Sequence, residues 1–290
     1  MTAPVPQFSV IVPVCNEEAA LKSLLEGLFA ALKDRDAEII AVDDGSTDSS
    51  AELLGREAQA GKLKLIRHQK NQGYGSALKS GLRAAQAEKV LIIDADGSYD
   101  PADIPSLIKK SGQAEMVVGA RKSGFKVEPA LRRVLKFFVL RLLRYLAGFE
   151  VPDLNSGLRL FNKNLALKYL SLLPQGFSFT STLTLIFLSE GYSVEFLEIN
   201  YHPRQGKSKF RMSELSSLSL LLLRTVMYFN PLKFFIPFSL LILLLALFIA
   251  FFSIFALGQF MDVTTSVLLV SAVQIFVLGL LADLLLRLRK

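Results

Sequence analysis

Lys89-Val-Leu-Ile-Ile-Asp94-Ala-Asp96-Gly-Ser98-Tyr-Asp100 runs an apolar stretch directly into two carboxylates. Val90 to Ile93 carries no alternating polar residue, so it reads as a strand buried on both faces. Gly97 and Asp100-Pro101 then turn the chain away. Two acids therefore stand at the carboxyl end of a central strand, the edge where open α/β sheets bind ligands. Carboxylates this close repel, and burial sharpens the repulsion. A hard divalent cation such as Mg²⁺ or Mn²⁺, bridging to a phosphate, would relieve it. The plainer alternative is a solvated acidic turn, since Asp-x-Asp is common by chance.

Working outward, the same grammar repeats. Phe8 to Val14 reads as a strand, and Asn16-Glu17-Glu18 as the cap of a helix reaching about Lys33. Glu38 to Val42 is a second strand, ending at Asp43-Asp44-Gly-Ser-Thr-Asp48, with a helix to about Gln59. Leu63 to Arg67 is a third strand. Asn71-Gln-Gly-Tyr-Gly75 opens a helix ending near Ala87, and Pro101 to about Lys110 is another. Glu115 to Gly119 is the fifth strand. Strands alternating with helices predict an α/β, mainly parallel, doubly wound sheet.

The chain has 290 residues, a net charge of +7 and a 51% hydrophobic composition, with mean hydropathy +0.41. The apolar excess is concentrated in the last 60 or so residues. The one cysteine, Cys15, excludes an internal disulfide. The N-terminus carries no basic n-region and no h-region, so no cleavable signal is expected. Trp is absent and the basic residues cluster beside apolar stretches, which fits an anionic membrane surface better than nucleic acid.

Leu232 to Leu257 has no charge after Lys233, and Thr264 to Leu286 has only Asp283. Each exceeds the ~20 residues needed to span a bilayer. The connecting Gly258 to Val263 holds no Lys or Arg, whereas Arg224 and Lys233 flank one end and Arg287, Arg289 and Lys290 the other. The positive-inside rule then places the α/β domain and both termini in the cytoplasm. Upstream, residues 130–147 place Arg132, Arg133, Lys136, Arg141 and Arg144 on one half of a helical wheel, with apolar residues on the other. That pattern predicts an interface helix, or else a surface helix of the domain core. Ser213 to Phe229 reads as a second. The expected domains are a catalytic region, 1–212, a juxtamembrane helix, 213–230, and a two-helix anchor, 231–290.

Three acidic clusters, Asn16-Glu17, Asp43-Asp44 and Asp94-Ala-Asp96, converge on one sheet edge. Carboxylates accept from ribose hydroxyls and base N–H groups while the last pair holds metal. No G-x-G-x-x-G follows strand one, and there is no G-x-x-x-x-G-K-[ST]. The site expected is therefore for a nucleoside diphosphate with a metal, neither a classical dinucleotide site nor a P-loop.

The ordered set Val10-Ile-Val-Pro-Val-Cys-Asn-Glu-Glu18, Val42-Asp-Asp-Gly-Ser-Thr-Asp48, Asn71-Gln-Gly-Tyr-Gly75 and Asp94-Ala-Asp-Gly97 resembles glycosyltransferase family two, with the GT-A fold. Val118-Gly-Ala-Arg121, Asp153-Leu-Asn-Ser-Gly-Leu-Arg159 and Arg204-Gln-Gly-Lys-Ser-Lys209 resemble its polyprenyl-phosphate sugar synthases, the dolichol-phosphate mannose synthase group. The resemblance covers about residues 8 to 210. It implies that Pro13, Glu17 and Asp43 contact the base and ribose of a nucleotide sugar. It implies that Asp94, Ala95 and Asp96 meet the diphosphate, with Mg²⁺ or Mn²⁺ on Asp94, Asp96 and Ser98. Arg121, Arg204 and Lys209, with one of Arg132 and Arg133, would hold phosphates. Asp153 would lie near the reacting sugar, giving Asp96, Asp153 and Arg121 as the catalytic set. The chain departs from those synthases at Cys15, often tyrosine there, and at Ser98, often glutamine.

The reaction implied is inverting transfer of a hexose from a GDP-mannose or UDP-glucose type of donor to dolichyl or undecaprenyl phosphate. A lipid phosphate is already largely dianionic at neutral pH, so it needs placement more than a base, and neither His68 nor His202 is expected to act as one. Plainer readings stand beside these: Arg204 and Lys209 as a basic loop, Arg121 as a structural ion pair, Asp153 as a turn residue, and Glu17 as a helix cap. For Asp44 and Asp48, helix capping is the reading preferred. Other functions weighed are a processive polysaccharide synthase, disfavoured by the missing Gln-x-x-Arg-Trp, a glycolipid synthase with a hydroxyl acceptor, and a non-catalytic membrane scaffold. Homo-oligomers are compatible with all of them.

Overall fold

The computed structural model describes residues 5–121, 152–176, 178–202, 231–258 and 262–288. The expected interface helices at 130–147 and 213–230 lie outside the described residues. The rest forms two compact units, one within residues 5–202 and one within 231–288.

The first unit carries the alternation the sequence announces. Its elements are β1 (Phe8–Val14), α1 (Glu18–Leu32), β2 (Ala37–Asp43), α2 (Ser50–Gln59), β3 (Lys64–Arg67), α3 (Tyr74–Ala84) and β4 (Lys89–Ile92). A 3₁₀ turn (Pro101–Asp103), α4 (Ile104–Lys110), β5 (Met116–Arg121), β6 (Arg159–Asn162), α5 (Lys163–Lys168), α6 (Phe179–Ser189) and β7 (Val194–Ile199) follow. The strand order is β3-β2-β1-β4-β6-β5-β7. All pairs are parallel except those of β6, which runs antiparallel between β4 and β5. The sequence predicts neither β6 nor β7. Both are short and follow the segment where the simple alternation breaks down.

Every residue of β1 is buried, as its unbroken apolar run requires. Val10, Val12 and Val14 join a core with Leu21, Leu24, Leu25 and Leu28 of α1. Ile11 points the other way, toward α3. A Cβ at Gly81 would lie 2.5 Å from Ile11 Cγ2, so α3 approaches the sheet at a distance that only glycine permits. The chain goes from β1 outward to β2 and β3, then crosses back to place β4 on the other side of β1. That reversal makes the carboxyl edge between β1 and β4 the crevice of the sheet.

The second unit is a helical hairpin, α7 (Pro231–Leu257) and α8 (Asp262–Leu288). Both helices are long and apolar enough to cross a membrane, as 26-residue spans whose most apolar 18-residue stretches have mean hydropathy 2.9 and 2.3. The first starts one residue before its expected limit and ends on it, and the second overruns its expected limits by two residues at each end. Large side chains such as Leu247, Phe248, Phe255, Val273 and Leu285 are exposed, a surface suited to lipid rather than water. The seam is built from small residues at seven-residue spacing: Ser239, Ala246 and Ser253 on α7, Thr265, Ala272 and Gly279 on α8. A Cβ at Gly279 would stand 2.5 Å from Phe235 Cβ. Lipid offers no hydrophobic drive to association, so close backbone approach is what holds such a pair. Ala246→Leu is therefore expected to destabilise the hairpin by about 1–3 kcal/mol through overpacking. Denaturant unfolding of the detergent-solubilised chain measures this. The exposed Leu245→Ala should leave the midpoint nearly unchanged.

Candidate active site

The expected acidic clusters do converge at one sheet edge, but they do different work there. Asp94 follows the last ladder contact of β4, in which the Ile93 N–H donates to the Ile11 carbonyl at 3.2 Å. Its Oδ1 accepts from the Tyr74 hydroxyl at 2.7 Å. Its Oδ2 faces Gly157, where a Cβ would overlap it. Burial, and then the neighbouring Asp96 charge, push the Asp94 carboxyl up to about 6, against the opposing pull of the Tyr74 bond. Asp96 is oriented from its own turn: Oδ1 accepts the Ser98 N–H at 3.0 Å and the Ser98 hydroxyl. Ser98 is itself buried, so its hydroxyl is engaged in holding Asp96.

This donor set fits a hard cation. Two carboxylate groups share one turn, and one of them is held above its ordinary range by burial and like charge, a cost that a bound cation removes. Among the described residues no group of three or more His, Cys, Asp or Glu forms a protein-only cage. The remaining ligands of such an ion would come from diphosphate oxygens and water, the usual habit of Mg²⁺.

Beneath Asp94 lies Arg159, the first residue of β6 and fully buried. Its guanidinium donates to the carbonyls of Ser156 and Thr180 and to Thr184 Oγ1, at 3.0, 2.7 and 2.7 Å. Burial lowers its pKa, and the negative charges of Asp153 and Asp94 act against that shift. Arg159 thus ties the 153–157 loop to α6 and leaves a positive charge that acts on Asp94. The sequence reading assigns Tyr74, Gly157 and Arg159 no role. The signals available were their places in the Asn71–Gly75 and Asp153–Arg159 motifs and, for Arg159, a charge inside the apolar run Leu158-Arg-Leu-Phe161.

At the other side of the edge, Asp153 and Arg121 hold each other. Arg121 donates to Asp153 from Nε at 2.7 Å, from Nη2 at 2.8 Å and from its backbone N–H at 3.2 Å. Tyr201 lies under the guanidinium, 5.2 Å from ring centroid to carbon. Tyr201 in turn meets Tyr99 edge-on, and the Tyr99 hydroxyl accepts from the Gly157 N–H at 2.7 Å. Burial pushes the Asp153 carboxyl up, but the Arg121 bonds and charge outweigh it and hold the carboxyl below its ordinary value. A depressed carboxyl contributes stability above the unfolded pKa of ~3.9, and that stability disappears as pH falls through the folded value. Asp153→Asn should therefore lower the melting temperature at neutral pH. The two proteins should converge as pH falls below about 4. Thermal melts across pH test this.

The β1 and β2 ends form the third wall. Pro13, Asp43 and Asp44 are buried. Asp43 Oδ1 accepts from the Ser46 N–H at 2.9 Å. Asn16 takes a left-handed conformation, φ 56°, and its Oδ1 accepts from the Thr47 N–H at 2.7 Å. It therefore braces the β2–α2 turn and does not cap α1. Glu17 occupies the cap position of α1, yet its side chain makes no capping hydrogen bond. Its carbonyl receives the Ala20 and Leu21 N–H groups. Asp48 does satisfy helix ends, accepting from Ser50 and Glu18 N–H groups, as expected. Asp44 does not. Its Oδ1 meets His68 Nδ1 at 2.7 Å and the Gln72 N–H at 2.9 Å, and its Oδ2 takes the Gly73 N–H at 2.9 Å. His68 Nε2 reaches Ser80 Oγ at 2.9 Å. Asp44 is thus a brace for the loop leading into α3. Arg132, Arg133, Arg204 and Lys209 lie outside the described residues.

Comparison with known proteins agrees with this architecture. Residues 9–170 match the family model Glycosyl transferase family 2, and residues 230–288 match the GtrB C-terminal hairpin. An undecaprenyl-phosphate 4-deoxy-4-formamido-L-arabinose transferase of Photorhabdus laumondii is 31% identical over 165 residues, 56% of this chain and 50% of that protein. This chain therefore spans half the length of that relative. A dodecaprenyl-phosphate galacturonate synthase of Rhizobium johnstonii is 29% identical over 97% of this chain and 88% of its own. Among solved structures, glucosyl-3-phosphoglycerate synthase from Mycobacterium tuberculosis, in complex with Mn²⁺, UDP and glucosyl-3-phosphoglycerate, superposes with a TM-score of 0.58. It covers 77% of this chain and 79% of that one at 21% identity, a likeness of fold.

Proposed function

The chain belongs to glycosyl transferase family 2, and from that membership we propose that it transfers a hexose from a nucleoside diphosphate sugar to a polyprenyl phosphate, with inversion, at the cytoplasmic membrane face. The observation that carries this reading is one chain joining a carboxylate pair at a sheet's carboxyl edge to a hairpin too apolar for water. The named activities of the Photorhabdus and Rhizobium relatives support a prenyl-phosphate acceptor. The Mn²⁺ and Mg²⁺ complexes of the mycobacterial synthase with UDP support a divalent ion of the same kind here. The donor is of the GDP-mannose or UDP-glucose type.

In this reading residues 1–212 are catalytic, 213–230 lie along the interface, and 231–290 anchor the chain. The loop between α7 and α8 lacks Lys and Arg, and the outer flanks carry them, which supports a cytoplasmic catalytic unit. Pro13, Glu17 and Asp43 receive the nucleoside. Asp94 and Asp96 supply hard oxygen donors beside Ala95 for a divalent ion, which when bound withdraws charge from the departing diphosphate. Ser98 orients Asp96. Arg204 and Lys209 bring in the lipid phosphate. A phosphate oxygen forms the new bond to the anomeric carbon, the bond to the diphosphate breaks, and the nucleoside diphosphate leaves.

No proton need be removed from a dianionic lipid phosphate. That matches Asp153, whose carboxyl is held low by Arg121 and so makes a poor base. Asp153 and Arg121 instead form a rigid charged pair beside the sugar position. A hydroxyl acceptor would require a firmer base than this pair provides. Membranes containing the chain should label undecaprenyl or dolichyl phosphate when given a panel of radiolabelled nucleotide sugars with Mg²⁺ or Mn²⁺. Failure with every donor would overturn the reading.

A further inference from the structure

We infer that Tyr74 is a positioning residue that sets the orientation of Asp94 for cation binding. The inference rests on the reading above that Asp94 and Asp96 hold a divalent ion. Tyr74 opens α3, and its buried hydroxyl donates to Asp94 Oδ1 at 2.7 Å. The opposite oxygen is confined by the Gly157 backbone. Asp94 is therefore gripped on both sides by elements outside its own turn.

The grip needs an accurately placed Tyr74, and the surrounding loop provides it. Asp44 fixes the Gln72 and Gly73 N–H groups, and His68 joins Asp44 to Ser80 on α3 itself. Gly73 has φ 101°, a backbone region open to glycine. At Gly75 a Cβ would overlap the Pro174 carbonyl, and the Ser76 N–H donates to the Gln175 carbonyl at 3.1 Å. The first turn of α3 is thus held from below by β2 and β3 and from the side by the 174–175 loop. An outer hydrogen bond of this kind fixes the rotation of a ligating carboxylate. The hydroxyl also satisfies one Asp94 oxygen before any ion arrives, which keeps the carboxylate from turning to find another partner.

The test uses the full chain in detergent micelles and Mn²⁺ alone, followed by the loss of its free-ion paramagnetic resonance signal. Tyr74→Phe removes one oxygen and keeps the ring. It should weaken Mn²⁺ affinity by about 10–100-fold, the usual cost of losing a hydrogen-bond partner behind a metal ligand. Transfer by the variant should recover as Mn²⁺ is raised, a rescue that a merely structural role would not give. Wild-type affinity in a folded Tyr74→Phe protein overturns the inference and leaves the proposed function standing. If the wild type binds no Mn²⁺ even when UDP or GDP is added to supply diphosphate oxygens, the metal reading fails and the inference with it. Should Tyr74→Phe not fold, Asp44→Asn loosens the same loop with the ring intact. It is expected to weaken Mn²⁺ binding in the same direction, and unchanged affinity there overturns the inference equally.

Discussion

Asp96→Ala should reduce sugar transfer by about 10²–10³-fold or more, the range lost when one preorganised charge-stabilising group is removed from a reacting centre. Asp96 stands at the mouth of the turn, with its carboxylate oriented by the Ser98 N–H and hydroxyl. It is not part of the apolar core, so its loss should spare the fold. In the proposed reaction the leaving diphosphate develops negative charge, and a cation held by Asp94 and Asp96 to offset it would lose one of its two carboxylate anchors. The effect should fall on kcat more than on KM, because the interaction strengthens as the diphosphate departs. Initial rates at saturating donor, with circular dichroism as a control for folding, measure it. Undiminished transfer would rule out a metal-dependent mechanism at this turn.

Gly157→Ala should be nearly as severe through an entirely steric route. The added methyl would overlap Asp94 Oδ2, and neither neighbour can retreat easily. Asp94 is tied to Tyr74 on its other side. The Gly157 N–H is tied to the Tyr99 hydroxyl, and the loop is pinned from below by Arg159. Displacing a carboxylate by about an ångström is enough to cost roughly 10²-fold in rate. The overlap should also cost about 1–3 kcal/mol of stability, as overpacking does. The combination is diagnostic: a modest fall in melting temperature with a large fall in Mn²⁺ affinity and rate. If the variant kept full activity, the loop would have to yield at this point, against the packing described.

The two variants mark where sequence reasoning stops. Asp96 is legible from the chain alone, because two acids ending an apolar run at a Gly turn is a local pattern. The β1–β4 alternation is legible for the same reason: strand burial and helix periodicity are written in residues that are adjacent in sequence. The Asp43–Asp48 turn is half legible. Its position at the sheet edge follows from the pattern, yet the sequence reading makes Asp44 a helix cap, and the structure has it bracing residues 28 and 29 positions away.

The Asp153–Arg159 motif contains Gly157 and Arg159, but their roles were beyond reach. Their meaning depends on β6 entering antiparallel between β4 and β5, which brings the 153–159 loop under Asp94. No periodicity in a four-residue strand announces such an insertion. The pairing of Arg121 with Asp153, residues 32 apart, likewise arises from β5 and the β6 loop meeting at one edge.

The parallel α/β half, the Asp-x-Asp turn and the two apolar helices are thus written in the chain, because each is set by short-range patterning of burial against polarity. Which groups hold Asp94 in place was settled only by the folded arrangement. Hydrogen bonds and steric walls between elements far apart in the chain depend on strand order and close approach, and neither leaves a local signature.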